Sequence, residues 1–210
     1  MKSPHFKRVL TSLLLLPLLG WAIFSGDPVL SIAITVVAGL GLMEFYAMFW
    51  PGSEKPVWKA LGIAFTLGLG CAALLGTAAS FLIAHDRAKS PEAFADSQIL
   101  LFGLLYLPFI LRLFRTISAP EIGLVLLTTF AADTGAYYAG SLIGGPKIWP
   151  SISPKKTWAG SLGGLCLSIL ICAAIGLALG GAHWTRFALL GAGLNIAAQL
   201  GDFFESALKR

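Results

Sequence analysis

The chain has 210 residues, of which 57% are hydrophobic and only 12% are charged, and its formal net charge is +5. A soluble domain carries roughly 25% charged residues, so these charges are too few to cover a soluble surface of this size. The basic residues lie in short loops beside apolar runs, which suits membrane orientation and anionic head groups better than nucleic-acid binding. The composition therefore predicts an integral membrane protein with no nucleic-acid partner.

Apolar runs follow one another along the chain from the N-terminus onward. A helix needs about 20 apolar residues to cross the hydrocarbon core, and lipid offers the backbone no hydrogen-bond partners, so these runs should be helical. They predict an all-α, polytopic transmembrane helix bundle of about seven spans. The spans lie near Val9–Phe24, Val29–Phe49, Val57–Ala84, Ile99–Leu113, Glu121–Gly140, Thr157–Ala182 and Phe187–Phe204. The stretch from His85 to Ser97 carries both charge signs and is predicted to be a solvated loop.

The side of the membrane on which each loop lies stays open. The basic N-terminus predicts a cytoplasmic start. Strict alternation of the spans then places the loop with Lys147, Lys155 and Lys156 on the opposite side, although its own positive charge also favours the cytoplasm.

A carboxylate stands inside the fifth predicted span. Asp133 shares one helix face with Thr129 and Tyr137, because the three follow at i, i+4 and i+8. An ionisable group within a span is costly, so it indicates function more often than a hydrogen bond that only holds the bundle. Asp133 is therefore a candidate functional residue, whereas Tyr137 could equally be an interfacial tyrosine.

The last span carries a polar seam. Five polar residues at alternating spacings of four and three share one helix face: Asn195, Gln199, Asp202, Ser206 and Lys209. Asp202 and Glu205 lie within one turn at a membrane boundary, and Mg²⁺ prefers one or two carboxylates plus waters and phosphates. The alternative is a helix end that leaves the membrane, with Glu205 and Lys209 paired at i, i+4.

The segment from Gly144 to Trp158 combines glycines and prolines with lysines and hydroxyl groups. Adjacent Lys155 and Lys156 can bind phosphate oxygens. Ser153-Pro154 predicts a helix start with proline at its first position, and a helix N-terminus attracts anions. A positive-inside loop that only sets orientation is the alternative, and spacing alone does not decide between them.

Three segments in the second half of the chain resemble the phosphatidate cytidylyltransferase (CDP-diacylglycerol synthase) family. They are Asp133-Thr134-Gly135-Ala136-Tyr137 followed by Gly140, Ile152 to Gly160 followed by Gly163-Gly164, and Gln199 to Arg210. The first half matches only as apolar spans. The resemblance thus divides the chain into N-terminal membrane helices, 1–120, and a cytidylyltransferase-like membrane domain, 121–210.

The resemblance implies that an oxygen of the phosphatidate phosphate attacks the α-phosphorus of CTP, which gives CDP-diacylglycerol and diphosphate. Such chemistry needs mainly positioning and charge neutralisation. By analogy with the family, the catalytic residues are Asp133, Lys155, Lys156 and Asp202. The implied substrate-binding residues are Ser153, Lys155, Lys156, Thr157, Lys209 and Arg210. Mg²⁺ is the implied cofactor, held by Asp202 and Glu205.

Family members continue past Ser-x-x-Lys-Arg with a Lys-Asp pair, a Pro-Gly-His-Gly-Gly stretch and an Asp-Arg-x-x-Asp element, whereas this sequence stops at Arg210. We therefore expect that the C-terminal part is missing and that residues 1–210 alone insert into membranes but transfer little cytidylyl group. The resemblance also implies a multi-pass protein of the cell (inner) membrane whose active site faces the cytoplasm. It leaves a homodimer as an option.

Two other readings use the same residues. Another CTP-dependent membrane lipid enzyme, such as a lipid-alcohol kinase or a CDP-archaeol-type synthase, would keep the lysines and the metal but use a different acceptor. An ion-coupled transporter would instead bind ions at Asp133 and Asp202 near the middle of the membrane.

Overall fold

The structure is a computed structural model that describes residues 17–52, 54–68 and 91–209. These residues form two compact units, which belong to Met1–Ile117 and to Ser118–Arg210. In the first unit the helices are α1 (17–24), α2 (Val29–Phe49), α3 (Pro56–Gly68) and α4 (Pro91–Leu104). Helix α4 continues through a π-helical segment (Leu105–Phe109), a helical turn (Ile110–Arg112) and a 3-10 turn (Leu113–Thr116). The second unit contains α5 (Ala119–Leu142), β1 (Lys147–Trp149), β2 (Ser153–Thr157), α6 (Trp158–Ala178) and α7 (Trp184–Leu208).

Helices dominate both units, which confirms a helical membrane protein in coarse form. Among the described residues, the stretches long and apolar enough to cross a membrane are Val29–Phe49, Phe94–Thr116, Trp158–Ala178 and Trp184–Leu208. The expected number of about seven spans is therefore not confirmed. The predicted spans Val9–Phe24 and Val57–Ala84 lie partly outside the described residues. The predicted span Glu121–Gly140 forms α5, which has the length of a span but carries enough polar side chains to stay outside that set.

The first unit packs around Tyr46, which is fully buried on α2. Its hydroxyl donates a hydrogen bond to the carbonyl oxygen of Leu100 at 3.1 Å. Gly62 on α3 and Gly103 on α4 face its ring, where a Cβ atom would come within 2.4 Å and 2.8 Å of ring carbons. The two glycines therefore let α3 and α4 approach the aromatic ring closely.

The predicted loop from His85 to Ser97 is wrong for its second half. Helix α4 begins at Pro91, and Asp96 within it is 7% exposed. Its carboxylate accepts a hydrogen bond from the indole Nε1 of Trp50 at 2.9 Å and forms an ion pair with Lys55 at 2.6 Å. The mixed charges suggested a solvated loop, because nothing in the local sequence shows that the connection between α2 and α3 supplies partners for this carboxylate.

In the second unit α6 packs against both α5 and α7. Its buried residues recur at every fourth position, namely Gly160, Gly164, Ser168, Cys172 and Gly176. Backbones approach closely along this stripe: a Cβ on Gly160 would lie 2.8 Å from the carbonyl oxygen of Ala136. Small residues permit such close contact between membrane helices, and the result is a tight three-helix core.

A β-hairpin stands where a helix start was predicted at Ser153-Pro154. Strands β1 and β2 pair antiparallel, with Lys147 opposite Thr157 and Trp149 opposite Ser153. Helix α6 starts only at Trp158, because Thr157 is extended and its side-chain oxygen accepts a hydrogen bond from the Gly160 amide at 3.1 Å. The N-cap is thus threonine, which commonly takes this position.

Candidate active site

A cavity of about 410 Å³ lies within the second unit, between helices α5, α6 and α7 and strand β2. Its polar lining consists of Asp133, Tyr137, Ser141, Lys155, Lys156, Thr157, Ser161, Asn195, Gln199 and Asp202. Small and apolar residues complete it: Ala132, Ala136, Gly140, Ile148, Gly160 and Ala198. Charged groups of both signs therefore converge on one concave space.

The hairpin brings Lys156 to the helix that carries Asp202. The ammonium group of Lys156 forms an ion pair with the carboxylate of Asp202. It also lies 4.8 Å from the centre of the Phe203 ring, within the range of a cation–π contact. The ring of Trp149 on β1 lies 6.2 Å from the same ring. Contacts from both strands thus hold the hairpin against the C-terminal part of α7.

Asp133 forms the acidic part of the α5 wall. It lines the same cavity as Asp202 and Lys156. The cavity therefore has two carboxylates on separate helices and two lysines on one strand. Groups that attract anions and groups that attract cations therefore line the same cavity.

Thr157 links the lysines to the start of α6. Its side chain is 5% exposed and caps the helix through Gly160. The first turn of α6 contributes Gly160 and Ser161 to the cavity. A helix N-terminus attracts anions through its free amides and its dipole, so this wall adds to the positive potential of the lysines.

The structure brings together five of the predicted site residues, namely Asp133, Lys155, Lys156, Thr157 and Asp202. Ser153, Glu205 and Lys209 do not line the cavity. Glu205 and Lys209 form an ion pair with each other at i, i+4, which is the arrangement the sequence offered as the alternative to a metal site. Arg210 lies outside the described residues.

No site role was predicted for Ser161, Asn195 or Gln199. The hydroxyl of Ser161 donates to the amide oxygen of Gln199, and the amide nitrogen of Gln199 donates to the carbonyl oxygen of Ser161 at 3.4 Å. This pair joins α6 to α7 at the cavity wall. The helical spacing of these residues could have indicated them. Asn195 and Gln199 belong to the polar seam on α7, and Ser161 follows Thr157 at i+4.

The cavity supplies two carboxylates as candidate ligands for Mg²⁺. Among the described residues, no group of three or more His, Cys, Asp or Glu side chains is arranged to hold a metal ion. Mg²⁺ needs only one or two carboxylates, because waters and substrate phosphates complete its coordination. Asp133 and Asp202 supply two carboxylates to the cavity, and Lys155 and Lys156 line the same cavity.

Sequence comparison relates the chain to known proteins. The model of a family described as "Cytidylyltransferase family" matches residues 6–210. The chain belongs to the cytidylyltransferase family. It is 32% identical over 156 residues to the phosphatidate cytidylyltransferase of Brucella suis biovar 1 (strain 1330), an alignment that covers 71% of this chain and 53% of that protein. It is 33% identical over 127 residues to the phosphatidate cytidylyltransferase of Staphylococcus aureus (strain COL), covering 58% of this chain and 48% of that protein.

This chain thus spans about half the length of the curated relatives that it matches. Membership of the cytidylyltransferase family agrees with the resemblance on the motifs. The cavity draws residues from all three motif segments, since Asp133, Lys155 and Asp202 belong to one segment each.

Proposed function

We propose that this protein transfers the cytidylyl group of CTP to phosphatidate, giving CDP-diacylglycerol and diphosphate. The observation that carries the proposal is the cavity of a cytidylyltransferase-family member in which Lys155 and Lys156 meet two carboxylates. Its relatives in Brucella suis and Staphylococcus aureus are named phosphatidate cytidylyltransferase. Helices α6 and α7 at the cavity are long and apolar enough to cross a membrane, which suits a lipid substrate.

In this reaction an oxygen of the phosphatidate phosphate forms a bond to the α-phosphorus of CTP. The bond between the α-phosphorus and the oxygen that bridges to the β-phosphorus breaks, and the electron pair leaves with diphosphate. Both substrates are anions, so Lys155 and Lys156 reduce their mutual repulsion and orient the phosphates. The start of α6 beside Thr157 adds amide dipoles that favour the same charge.

Asp133 and Asp202 are the residues that would hold Mg²⁺ in this cavity. When bound, the metal supplies charge neutralisation at the phosphate oxygens. Asp202 also keeps Lys156 in place through their ion pair, so this carboxylate positions a phosphate-binding group as well. The role of Glu205 as a metal ligand stays a prediction. Its carboxylate is paired with Lys209 and does not line the cavity.

The cavity is proposed to face the cytoplasm from the inner membrane. Lys147, Lys155 and Lys156 lie on one hairpin, and positive charge is typical of cytoplasmic loops. A variant without native cysteines and with Pro150→Cys should react with a membrane-impermeant maleimide in inverted vesicles and resist it in intact spheroplasts. The opposite labelling pattern would place the hairpin outside.

The full-length protein should be expressed in membranes and incubated with CTP labelled in the cytosine, with phosphatidate and with Mg²⁺. The expected result is a labelled lipid that migrates as CDP-diacylglycerol, with one diphosphate released per lipid and no product when phosphatidate is left out. A lipid that gains only a phosphate from CTP would indicate a lipid-alcohol kinase. Transfer only to an ether-linked archaeal acceptor would indicate a CDP-archaeol-type synthase, and either result would overturn the proposed acceptor.

A further inference from the structure

Asn195 is a buried amide in the cavity wall, and the proposed chemistry gives it no task. The residue is 3% exposed, and it lines the cavity on α7. It makes no hydrogen bond with any residue in the described part of the chain. Leaving a buried polar group unpaired costs about 1–3 kcal/mol. Because buried polar groups are nearly always hydrogen-bonded, an amide that opens only onto a cavity indicates a ligand.

The fold makes room for this amide. A Cβ atom on Gly164 would lie 3.1 Å from the side-chain oxygen of Asn195 and 2.8 Å from the carbonyl oxygen of Ala132. Glycine at position 164 therefore lets α5, α6 and α7 converge while the amide of Asn195 stays between them. A side chain enclosed on three sides has little freedom, so its polar atoms are directed in advance of binding.

Lys156 and Asp202, which form the ion pair of the cavity, lie at a different level from Asn195. Asp202 follows Asn195 by seven residues on α7, which corresponds to about 10 Å along the helix. Asp202 is half exposed and paired with Lys156, whereas Asn195 is buried. Phosphates belong with Lys156, so the ligand part that reaches Asn195 is a neutral part of the substrate.

We infer that Asn195 hydrogen-bonds the pyrimidine ring of the nucleotide at the edge where cytosine differs from uracil; the inference rests on the proposed function. An amide carries both a donor and an acceptor, and amide side chains pair with base edges in this way. Ala132, Ala136 and Gly160 beside it have little or no side chain, which leaves space for a flat ring. A diacylglycerol moiety would instead offer only acceptors and would have to direct two acyl chains out of the same space.

The test compares Asn195→Ala and Asn195→Leu with wild type in the full-length protein, reconstituted in mixed micelles. Leucine keeps the branched shape of asparagine without its hydrogen bonds, so it controls for a cavity left by alanine. Ser168→Ala is the matched control, because Ser168 is also buried in this unit but does not line the cavity. Initial rates are measured against CTP at saturating phosphatidate, against phosphatidate at saturating CTP, and with UTP in place of CTP.

Both Asn195 variants should raise the KM for CTP about tenfold, as expected for one lost hydrogen bond, with the KM for phosphatidate changed less than about twofold. The ratio of kcat/KM for CTP to that for UTP should fall toward one. Ser168→Ala should change neither quantity. A raised KM for phosphatidate with an unchanged KM for CTP would overturn the inference, and so would an unchanged CTP-to-UTP ratio.

Failure of the proposed function is separable from failure of this inference. If the wild-type protein makes no CDP-lipid, the proposed function fails, and binding of CTP and UTP is then measured directly by equilibrium dialysis. Weaker CTP binding by Asn195→Leu than by wild type, with UTP binding unchanged, would still support a contact to the base. Equal CTP binding by the two proteins, or no CTP binding by wild type, would overturn it.

Discussion

The ammonium group of Lys156 and the carboxylate of Asp202 form an ion pair across 46 positions of the sequence. The lysine side chain is 27% exposed and the carboxylate is 50% exposed, so the pair contributes little to folding stability. Its significance is the arrangement of charge. A bound phosphate would take the place of Asp202 beside Lys156, and a bound cation would take the place of Lys156 beside Asp202. Before the ligands bind, the ion pair keeps both side chains in position for them.

Asp202→Asn should remove most of the activity of the full-length protein. The substitution keeps the size of the side chain but removes the negative charge that would hold Mg²⁺ and that orients Lys156. We expect kcat/KM to fall by about 100-fold or more, in line with the loss of a metal-binding charge. The measurement is CDP-diacylglycerol formation across a Mg²⁺ titration, with membrane insertion checked by detergent extraction.

Glu205→Gln is the matched control for Asp202→Asn. Glu205 lies one turn further along α7 but is paired with Lys209 and does not line the cavity. We therefore expect its activity to stay within about threefold of wild type, as for an exposed i, i+4 pair. A loss as large as that of Asp202→Asn would instead support Glu205 as a metal ligand.

Lys155→Met and Lys156→Met should weaken substrate binding more than insertion. Both side chains line the cavity, and the motif context assigns them to phosphates. We expect kcat/KM to fall about 10- to 100-fold for each, as when one charge-assisted hydrogen bond is lost. Steady-state kinetics with CTP and with phosphatidate should be measured at two ionic strengths, since a lost cation also weakens the salt dependence.

Lys147→Met controls for the charge of the hairpin. Lys147 pairs with Thr157 in the strand ladder but does not line the cavity. The Lys147→Met substitution removes one positive charge from the same hairpin, so it affects orientation in the membrane as the other two substitutions do. Kinetics close to wild type are expected for it. Equal losses in all three variants would support an orientation role for the lysines.

Spacing and residue chemistry selected the charged residues that line the cavity. Asp133 and Asp202 were identified because carboxylates in apolar helices are costly, and the structure places both at one cavity. The hairpin was missed because Pro154 at a helix start and Pro154 in an extended strand are both compatible with its fixed φ. Pairing between β1 and β2 decides the matter, and no local pattern carries that information.

The first unit was harder to predict. Asp96 was assigned to a solvated loop, yet it is buried on α4 and has two partners in the connection between α2 and α3. Its partners precede it by 46 and 41 residues, so their proximity is a property of the fold. The same reason explains why Asn195 was seen as part of a seam but not as an unpaired amide.

Asp96→Ala should destabilise the first unit more than Lys55→Ala does. The carboxylate is 10% exposed and has both the Trp50 indole and the Lys55 ammonium group as partners, whereas the Lys55 side chain is 40% exposed. Removing the carboxylate leaves the buried indole N–H unpaired, and such a loss costs about 1–3 kcal/mol. Thermal unfolding in detergent, followed by tryptophan fluorescence, measures the difference. A larger loss for Lys55→Ala would show that other contacts of Lys55 dominate.

Gly163→Ala should destabilise the contact between α5 and α6, and a second substitution should restore it. A Cβ atom on Gly163 would lie 2.3 Å from the Cβ of Ala139 and 2.9 Å from the carbonyl oxygen of Gly135. The helices must therefore move apart, and overpacking of this kind costs about 1–3 kcal/mol. In Gly163→Ala/Ala139→Gly the nearest clashing atom is gone, so about half or more of the lost stability should return.

Gly123→Ala provides the control for helix propensity. Gly123 is also inside a helix, α5, but nothing lies within 4 Å of the position that its Cβ would take. Alanine is favoured over glycine in a helix by about 1 kcal/mol, so this variant should be as stable as wild type or more stable. Denaturation in detergent ranks the four proteins. If Gly163→Ala is as stable as Gly123→Ala, or if Ala139→Gly fails to rescue it, α5 and α6 do not pack at the distance that this contact requires.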